Sequence, residues 1–414
     1  MKALIVLVLF VITLGMANAY SEDWPSWRGS DRTDISSETG LLQQWPEKGP
    51  KLLWSFEDAG IGYAGVSTSK GKLFTMGARQ NKSQLICLDA IKGNELWAVE
   101  MGDVLSNGWG DGPRSTPSVD GNFVYAMSAK GDLICVNVTT GKQLWKRSMS
   151  EFGGSIPKWG YAESVLLDGD QLIATPGGKK GALVSLDKKT GKLNWQSAEF
   201  TDSAQYSSCI KVHHNDVDQY IQLTMKTVVG IDCKNGKVLW RTEWPGATAV
   251  IPTPIFSEGY VYITSGYNVG CSLFKIGKNH KVEEVYFNKN MINHHGGVIL
   301  YKDHVYGYSD RKGWVCQNFK SGETVWTEKS REHEKGAIAY ADGRFYCFCE
   351  KDGTLVLIEA SSKGWSEQGR LKFPKFTTKR NPRGKLWMHP VISNGKMYLR
   401  DQELLFCYDV NKKK

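Results

Sequence analysis

One pattern returns along most of this chain and limits the folds that it can adopt. In residues 133–145 a strand of alternating apolar residues ends at Asn137, a Thr-Gly-Lys turn follows, and a second strand ends at Trp145. Related segments lie at residues 85–97, 183–195, 228–240 and 314–326, at intervals of about 40 to 50 residues. This period, with short strands and glycine turns, is typical of a β-propeller, in which each repeat forms one four-stranded blade.

The residue types of the repeat suit a strand, a tight turn and a second strand. Asn137 can accept hydrogen bonds from the backbone that follows it, and Gly141 falls where a hairpin requires a positive φ. The closing tryptophan is large enough to fill the gap between neighbouring sheets. Four of the nine cysteines share one position, two residues before the Asp or Asn, which predicts buried free thiols. The sequence does not decide whether two of the other five cysteines form a disulfide.

The number of blades is predicted by counting the turns that are followed by a strand with aromatic residues. They predict eight inner hairpins, at residues 70–74, 120–125, 168–172, 214–220, 258–262, 302–306, 342–346 and 394–398. Two outer hairpins, at residues 272–287 and 355–373, lack the tryptophan, so seven blades is the alternative. A tryptophan strand near residue 54 has no partner strands before it, whereas residues 387–409 supply three strands without a fourth. We therefore predict an all-β, eight-bladed β-propeller, closed by pairing the N-terminal strand with the three C-terminal strands.

The first 50 residues lie outside the repeats. Residues 1–19 combine Lys2, an apolar stretch and the small residues before Ala19, a pattern typical of a cleaved secretory signal peptide. We expect a periplasmic or secreted protein without a transmembrane segment in the mature chain. Residues 20–50 are expected to form an irregular arm across the ring, and residues 51–414 the propeller domain. The net charge of +9 favours solubility but specifies no partner.

The ending Asp-x-x-Thr-Gly-Lys-x-x-Trp, present from Asp187 to Trp195, resembles the repeat of pyrroloquinoline-quinone-type propellers. The resemblance covers about residues 51 to 410. It implies either a quinone-dependent alcohol dehydrogenase or a non-enzymatic scaffold of the outer-membrane assembly type, since that superfamily contains both. The segment Trp-Pro-Ser-Trp-Arg-Gly at residues 24–29 is similar to the opening of a bacterial group of exported propellers.

The dehydrogenases of that superfamily resemble one another in several cofactor motifs. They carry two adjacent cysteines beside the quinone, a carboxylate and an amide that bind calcium, and an aspartate base. This sequence has no Cys-Cys pair and no Cys-x-x-Cys-His haem motif, and no calcium-binding or base motif is matched. We therefore predict a binding or assembly scaffold of the cell envelope rather than an enzyme. The alternative is a quinoprotein oxidoreductase that oxidises an alcohol or sugar with pyrroloquinoline quinone and calcium.

The loops that lead into the innermost strands of a propeller, its approach loops, meet near the axis at one face and can form a pocket there. Four of them carry aromatic, charged and imidazole side chains that suit a planar or sugar-like ligand. The candidate ligand-binding residues are Trp109, Asp111, Arg114, Trp159, Tyr161, His294, His295, Trp387 and His389. In the alternative interpretation the tryptophans plug the channel and the histidines bind loop backbone.

A metal site is a narrower hypothesis at the same place. His294 or His295, with His389 and Asp111, would supply suitable ligand types. Because adjacent side chains of an extended strand point in opposite directions, we expect only one of His294 and His295 to join such a site. We assign no metal and no cofactor, with pyrroloquinoline quinone and calcium as the open alternative.

The expected partner is an envelope protein or peptide, or a small carbohydrate-like ligand. Nucleic acid is not expected, and we expect a monomer. The basic run at residues 375–385 either contacts an acidic polymer or lipid head groups, or forms a solvated loop.

Overall fold

The computed structural model describes residues 23–330 and 333–412, which form 33 strands. Two single-turn 3-10 helices, Met149–Phe152 and Lys278–His280, are the only helices in that part of the chain. No helix of the described residues is long and apolar enough to cross a membrane. The predicted signal peptide lies outside the described residues. The strands form eight sheets, antiparallel except for one short added strand, which confirms the eight-bladed β-propeller over the seven-bladed alternative.

Blades 1 to 4 each contain four strands, which run from the innermost to the outermost in chain order. Blade 1 contains Ser67–Ser69, Lys72–Arg79, Lys82–Asp89 and Glu95–Asp103. Blade 2 contains Ser118–Asp120, Phe123–Met127, Asp132–Asn137 and Gln143–Ser148. Blade 3 contains Leu166–Asp168, Gln171–Ala174, Val184–Asp187 and Leu193–Gln196. Blade 4 contains Ile210–His214, Val217–Leu223, Thr227–Asp232 and Val238–Glu243.

Blades 5 to 8 are also built from the innermost strand outwards. Blade 5 contains Ile255–Ser257, Tyr260–Ser265, Gly270–Ile276 and Val282–Asn288. Blade 6 contains Val298–Tyr301, His304–Ser309, Gly313–Asn318 and Thr324–Glu328. Blade 7 contains Gly336–Ala341, Arg344–Cys349, Leu355–Glu359 and Glu367–Leu371. Blade 8 contains Val391–Ser393, Lys396–Asp401, Leu404–Asp409 and Lys51–Phe56.

Blade 8 closes the ring. Its outermost strand comes from the N-terminal side of the chain and pairs antiparallel with the last strand, placing Trp54 opposite Cys407. The predicted closure is therefore confirmed. Pairing the two ends of the repeat array satisfies backbone groups that an open array would expose at its edges.

In four blades the tryptophan of the repeat donates a hydrogen bond to the next blade. Trp97 lies opposite Cys87, and its indole N–H donates to the Val138 carbonyl of blade 2 at 3.1 Å. Its ring packs on Gly141, where an added Cβ would come within 2.9 Å of the indole. Trp54, Trp145 and Trp326 make equivalent bonds to the following blade. The small cysteine opposite leaves room for the ring. All nine cysteines are buried and have free thiols, so no two of them form a disulfide.

Blade 5 replaces the missing tryptophan with a tyrosine. The Tyr286 hydroxyl donates to the Phe319 carbonyl of blade 6 at 2.9 Å. Its ring packs against Gly322, where a Cβ would come within 2.8 Å of it. The shorter aromatic ring thus keeps both contacts of the repeat, the bond to the next blade and the packing on its turn glycine.

Blade 7 takes its large aromatic ring from outside the repeat. Strand register places Gly369 opposite Leu357, beside the bulge where other blades carry tryptophan. Trp45, from the segment before the propeller, packs over Gly369, and its backbone N–H donates to the Gln368 carbonyl at 2.8 Å. Its ring lies 5.8 Å from that of Tyr346, in a cluster that joins blades 7 and 8.

The segment before the propeller also contacts opposite sides of the ring. Arg32 is buried and donates to carbonyls of blades 3 and 4, among them Cys209 at 2.9 Å. Arg28 donates to the Val298 carbonyl of blade 6 at 2.6 Å and pairs with Asp34 at 3.0 Å. Ile35–Ser36 adds a parallel strand to the inner edge of blade 7. This segment therefore crosses the axis of the ring.

Candidate functional site

A cavity of about 330 Å³ lies near the axis, among the approach loops. Its wall carries four tryptophans, three tyrosines, two histidines and one arginine, without Asp, Glu, Asn or Gln. The lining residues are Trp27, Tyr63, Trp109, Arg114, Trp159, Ala162, Ser164, Tyr206, Ser208, Thr248, Ala249, Ile251, Tyr267, His294, His295 and Trp387. A volume above about 300 Å³ is large enough for a small-molecule ligand.

Six of the nine candidate residues lie on this wall. They are Trp109, Arg114, Trp159, His294, His295 and Trp387. They come from the approach loops of four different blades, which the closed ring brings together. Trp387 stacks on His295 with ring centroids 4.6 Å apart, and the Trp109 and Trp387 rings lie 6.5 Å apart.

The other three candidates stabilise the structure around the cavity. The Asp111 carboxylate turns back and accepts hydrogen bonds within its own loop, from Ser106 and from the backbone N–H of residue 107, each at 2.9 Å. Tyr161 is buried in the core between blades 2 and 3. His389 lies behind Trp27, with its Nδ1 3.1 Å from the Asp34 carboxylate. Loops that converge on an axis need such internal contacts, and these polar side chains supply them.

Four aromatic residues of the wall were not among the candidates. Tyr63 and Tyr206 lie in approach loops, so the rule that identified Trp109 would also have found them. Tyr267 lies between the second and third strands of blade 5, a position that this rule does not cover. Trp27 comes from the segment that crosses the axis, and its indole N–H donates to Thr253 at 3.1 Å.

The expectation that His294 and His295 point in opposite directions is wrong. Their rings lie 3.9 Å apart, with the two Nδ1 atoms at 2.8 Å. Residues 291–297 lie outside the strands and bend at residues 295–296, so side chains do not alternate there. Burial, with Lys335 nearby, lowers the pKa of His294 to about 3, and burial also lowers the pKa of His295 well below its usual range. Both imidazoles are therefore neutral at pH 7.

Arg114 is the one formally charged side chain on the wall. Its guanidinium donates to the carbonyls of Gly112 at 2.5 Å and Gly110 at 2.6 Å, which fixes its position. It lies 5.7 Å from the centre of the Tyr63 ring. The cavity is thus a mainly aromatic space with one anchored positive charge.

The wall does not supply the ligands that a calcium-bound quinone requires. Calcium binds oxygen atoms, mainly of carboxylates and carbonyls, and no carboxylate or side-chain amide lines this cavity. Across residues 23–330 and 333–412, no three His, Cys, Asp or Glu side chains come together as a metal site. The residues present therefore do not fit pyrroloquinoline quinone with calcium.

Glu163 lies beside the wall and gives the protein a pH-dependent stability. Its carboxylate accepts hydrogen bonds from the backbone N–H of Thr175 at 2.6 Å and from the Thr175 hydroxyl at 2.9 Å. Burial nevertheless raises its pKa to about 7. The folded protein therefore holds a proton that the unfolded chain releases between about pH 4.5 and pH 7, and the free energy of unfolding falls as the pH rises through this window.

We expect Glu163→Gln to remove this loss of stability at rising pH, because glutamine does not titrate. Relative to the wild type, the variant should gain up to about 3 kcal/mol in free energy of unfolding between pH 4.5 and pH 8, since one pKa unit corresponds to about 1.4 kcal/mol. Urea denaturation at both pH values measures the change. Glu47→Gln, at an exposed position, is the control. An equal difference between Glu163→Gln and wild type at both pH values would contradict the prediction.

Comparison with known proteins identifies relatives of this fold. A family model described as outer membrane protein assembly factor BamB matches residues 81–328. BamB from Moraxella catarrhalis is 13% identical with a TM-score of 0.61, over 87% of this chain and 99% of that one. Quinohemoprotein alcohol dehydrogenase from Comamonas testosteroni is 11% identical with a TM-score of 0.63, over 95% and 81%. The computationally designed Ika8 protein is 13% identical with a TM-score of 0.58, over 87% and 100%.

These likenesses differ in what they establish. No curated protein sequence matches this chain. At such low identities the solved structures show a shared fold alone, common to BamB and to the alcohol dehydrogenase. The family model, by contrast, matches more than half of the chain, within the repeats whose resemblance to quinone-type propellers the sequence indicated. The chain therefore belongs to the family of the outer membrane protein assembly factor BamB.

Proposed function

We propose that this protein is a non-enzymatic binding scaffold of the cell envelope, which holds a partner or ligand in the aromatic cavity among its approach loops. The composition of the wall carries the proposal: aromatic faces and one fixed cation surround the cavity, without a carboxylate. Such a wall provides a binding surface. It offers few groups that transfer protons or attack a substrate.

The polar side chains of the wall support this view. A general base works best with a pKa near the working pH, and the His294 pKa of about 3 lies far below it. The Ser164 hydroxyl accepts the backbone N–H of Thr116 at 2.8 Å, and the Ser208 hydroxyl accepts that of Ser164 at 3.0 Å. These hydroxyls join neighbouring blades, and neither is hydrogen-bonded to a base that would activate it as a nucleophile.

The envelope location draws on two further observations. The family is named after a factor of outer-membrane protein assembly. Residues 1–19 have the pattern of an export signal. The mature protein would then be periplasmic or secreted, a monomer, and open to an envelope protein, a peptide or a carbohydrate-like ligand.

The scaffold proposal is tested against the competing oxidoreductase function. We expect the melting temperature of the purified mature protein to stay unchanged with pyrroloquinoline quinone and calcium well above micromolar concentration, because a ligand that binds only the folded state would raise it. Dye reduction with alcohols and sugars should also be absent. An upward shift that Arg114→Gln or Trp159→Ala abolishes, together with dye reduction, would overturn the scaffold proposal.

A further inference from the structure

The hydrogen-bonding capacity of the cavity wall is unbalanced. Arg114 has five N–H groups, and the carbonyls of Gly110 and Gly112 occupy only part of them. Carboxylate and amide oxygens, the strongest acceptors among side chains, are absent from the wall. A ligand with anionic oxygens therefore matches this wall better than a neutral one, because those oxygens can accept the remaining N–H groups of Arg114.

The charge of the wall points in the same direction. Aromatic side chains can bind a cation over their faces, but the fixed guanidinium of Arg114 repels a cation in the same small space. The two histidines add no charge at pH 7 because burial lowers the pKa of each. The ligand that this cavity accommodates is thus an anion with apolar faces.

Two cations outside the cavity also favour an anionic ligand. The Lys158 ammonium lies 4.9 Å from the centre of the Trp159 ring. The Arg383 guanidinium lies beside the Trp109 loop, where a Cβ added to Gly108 would come 3.7 Å from it. Both side chains are exposed, and neither forms a salt bridge within the described residues.

Three other cations of the basic run at residues 375–385 form salt bridges. Lys375 pairs with Glu57 at 2.7 Å, and Arg380 pairs with Asp401 at 2.6 Å. Lys379 lies 3.7 Å from Glu403. Arg383 differs from these three residues in lying beside the Trp109 loop without a salt bridge. Arg383 and Lys385 are thus the cations of this run without a salt bridge among the described residues, and Arg383 is the one beside the Trp109 loop.

We propose that the cavity binds an acidic sugar unit of an anionic polysaccharide, and that the polymer continues across the mouth over Lys158 and Arg383. This inference rests on the proposed binding function. The apolar face of a sugar ring buries its C–H groups against an indole, and Trp109 offers such a face with 45% of its surface exposed. A single small acid would need only Arg114. A chain of repeated anionic groups uses the cations of two approach loops, leading to blades 3 and 8.

Calorimetric titration of the mature protein with matched polymers tests the proposal. We expect polygalacturonate or dextran sulfate to bind with an affinity that falls as salt is added. The tighter of the two identifies the anionic group as carboxylate or sulfate. Uncharged dextran should not bind, and polyglutamate, which has charge without sugar rings, should bind at least tenfold more weakly. Equal binding of polyglutamate or of a single-stranded oligonucleotide would overturn the proposal.

Variants locate the binding surface. Arg114→Gln and Trp159→Ala should weaken polymer binding at least tenfold, and Lys158→Gln with Arg383→Gln severalfold with a smaller salt dependence. Lys375→Gln is the matched control, because this lysine is already paired with Glu57. Lys158 and Arg383 form the rim of the cavity in this proposal. Because both side chains are exposed, the rim double variant Lys158→Gln with Arg383→Gln should fold, and it keeps the test valid if a cavity variant does not. Unchanged affinity in the rim double variant would overturn the proposal.

The two proposals fail in different ways. If neither acidic polymer binds and quinone with calcium has no effect, the polysaccharide inference alone is wrong. If quinone with calcium raises the melting temperature and supports dye reduction, the scaffold function is wrong as well.

Discussion

Replacing Trp45 by alanine should lower the free energy of unfolding by about 3 to 5 kcal/mol, the usual cost of removing a large buried aromatic side chain. Trp45 is 5% exposed and fills the position over Gly369 that a repeat tryptophan fills in other blades. Its indole nitrogen has no hydrogen-bond partner among the described residues, so its contribution is packing between blades 7 and 8. Equilibrium denaturation in urea measures the change.

Trp109→Ala is the matched control for this prediction. Trp109 is 45% exposed, and its removal should change the free energy of unfolding by less than about 0.5 kcal/mol. If Trp45→Ala unfolds at the same urea concentration as the wild type, blade 7 does not depend on the aromatic ring supplied from outside its repeat.

Replacing Arg400 by methionine should also cost more than about 3 kcal/mol, since it leaves several buried carbonyls without a donor. Arg400 is fully buried in blade 8, and burial lowers its pKa to about 9. Its guanidinium reaches a hydroxyl and five carbonyl oxygens within 3.0 Å. These belong to Thr75, Ala59, Gly60, Ala64, Met76 and Gln402. Most lie in or before blade 1, so the side chain fastens the ring where its two ends meet.

Graded variants separate charge from geometry at this position. Arg400→Lys keeps the charge and three N–H donors but not the planar fork, and should lose less stability than Arg400→Met. Arg383→Met, at an exposed position, should stay within about 0.5 kcal/mol of wild type. A melting curve of Arg400→Met that superimposes on that of the wild type would show that the ring closes without this contact.

The sequence predicted the fold because its information is local and repeated. Seven of the eight blades each come from one segment of about 45 residues, and in most of them strand alternation, a turn glycine and a closing aromatic residue lie close together. In the two repeats that lack the tryptophan, the inner hairpin still predicted a blade. The role of Arg400, by contrast, does not follow from the repeat: it lies within Lys396–Asp401 and binds backbone carbonyls of a segment more than 300 residues away in the chain.

The sequence by itself determined the eight blades, the closure of the ring and the aromatic character of the approach loops, because these follow from short-range patterns. Only the tertiary structure decided which side chains face the cavity. Asp111 and Tyr161 turn away, His294 and His295 meet, and Trp27 arrives from a segment with no repeat. A loop has no periodicity that orients its side chains. Their directions are fixed by contacts between residues far apart in the chain, as Trp45 over Gly369 also illustrates.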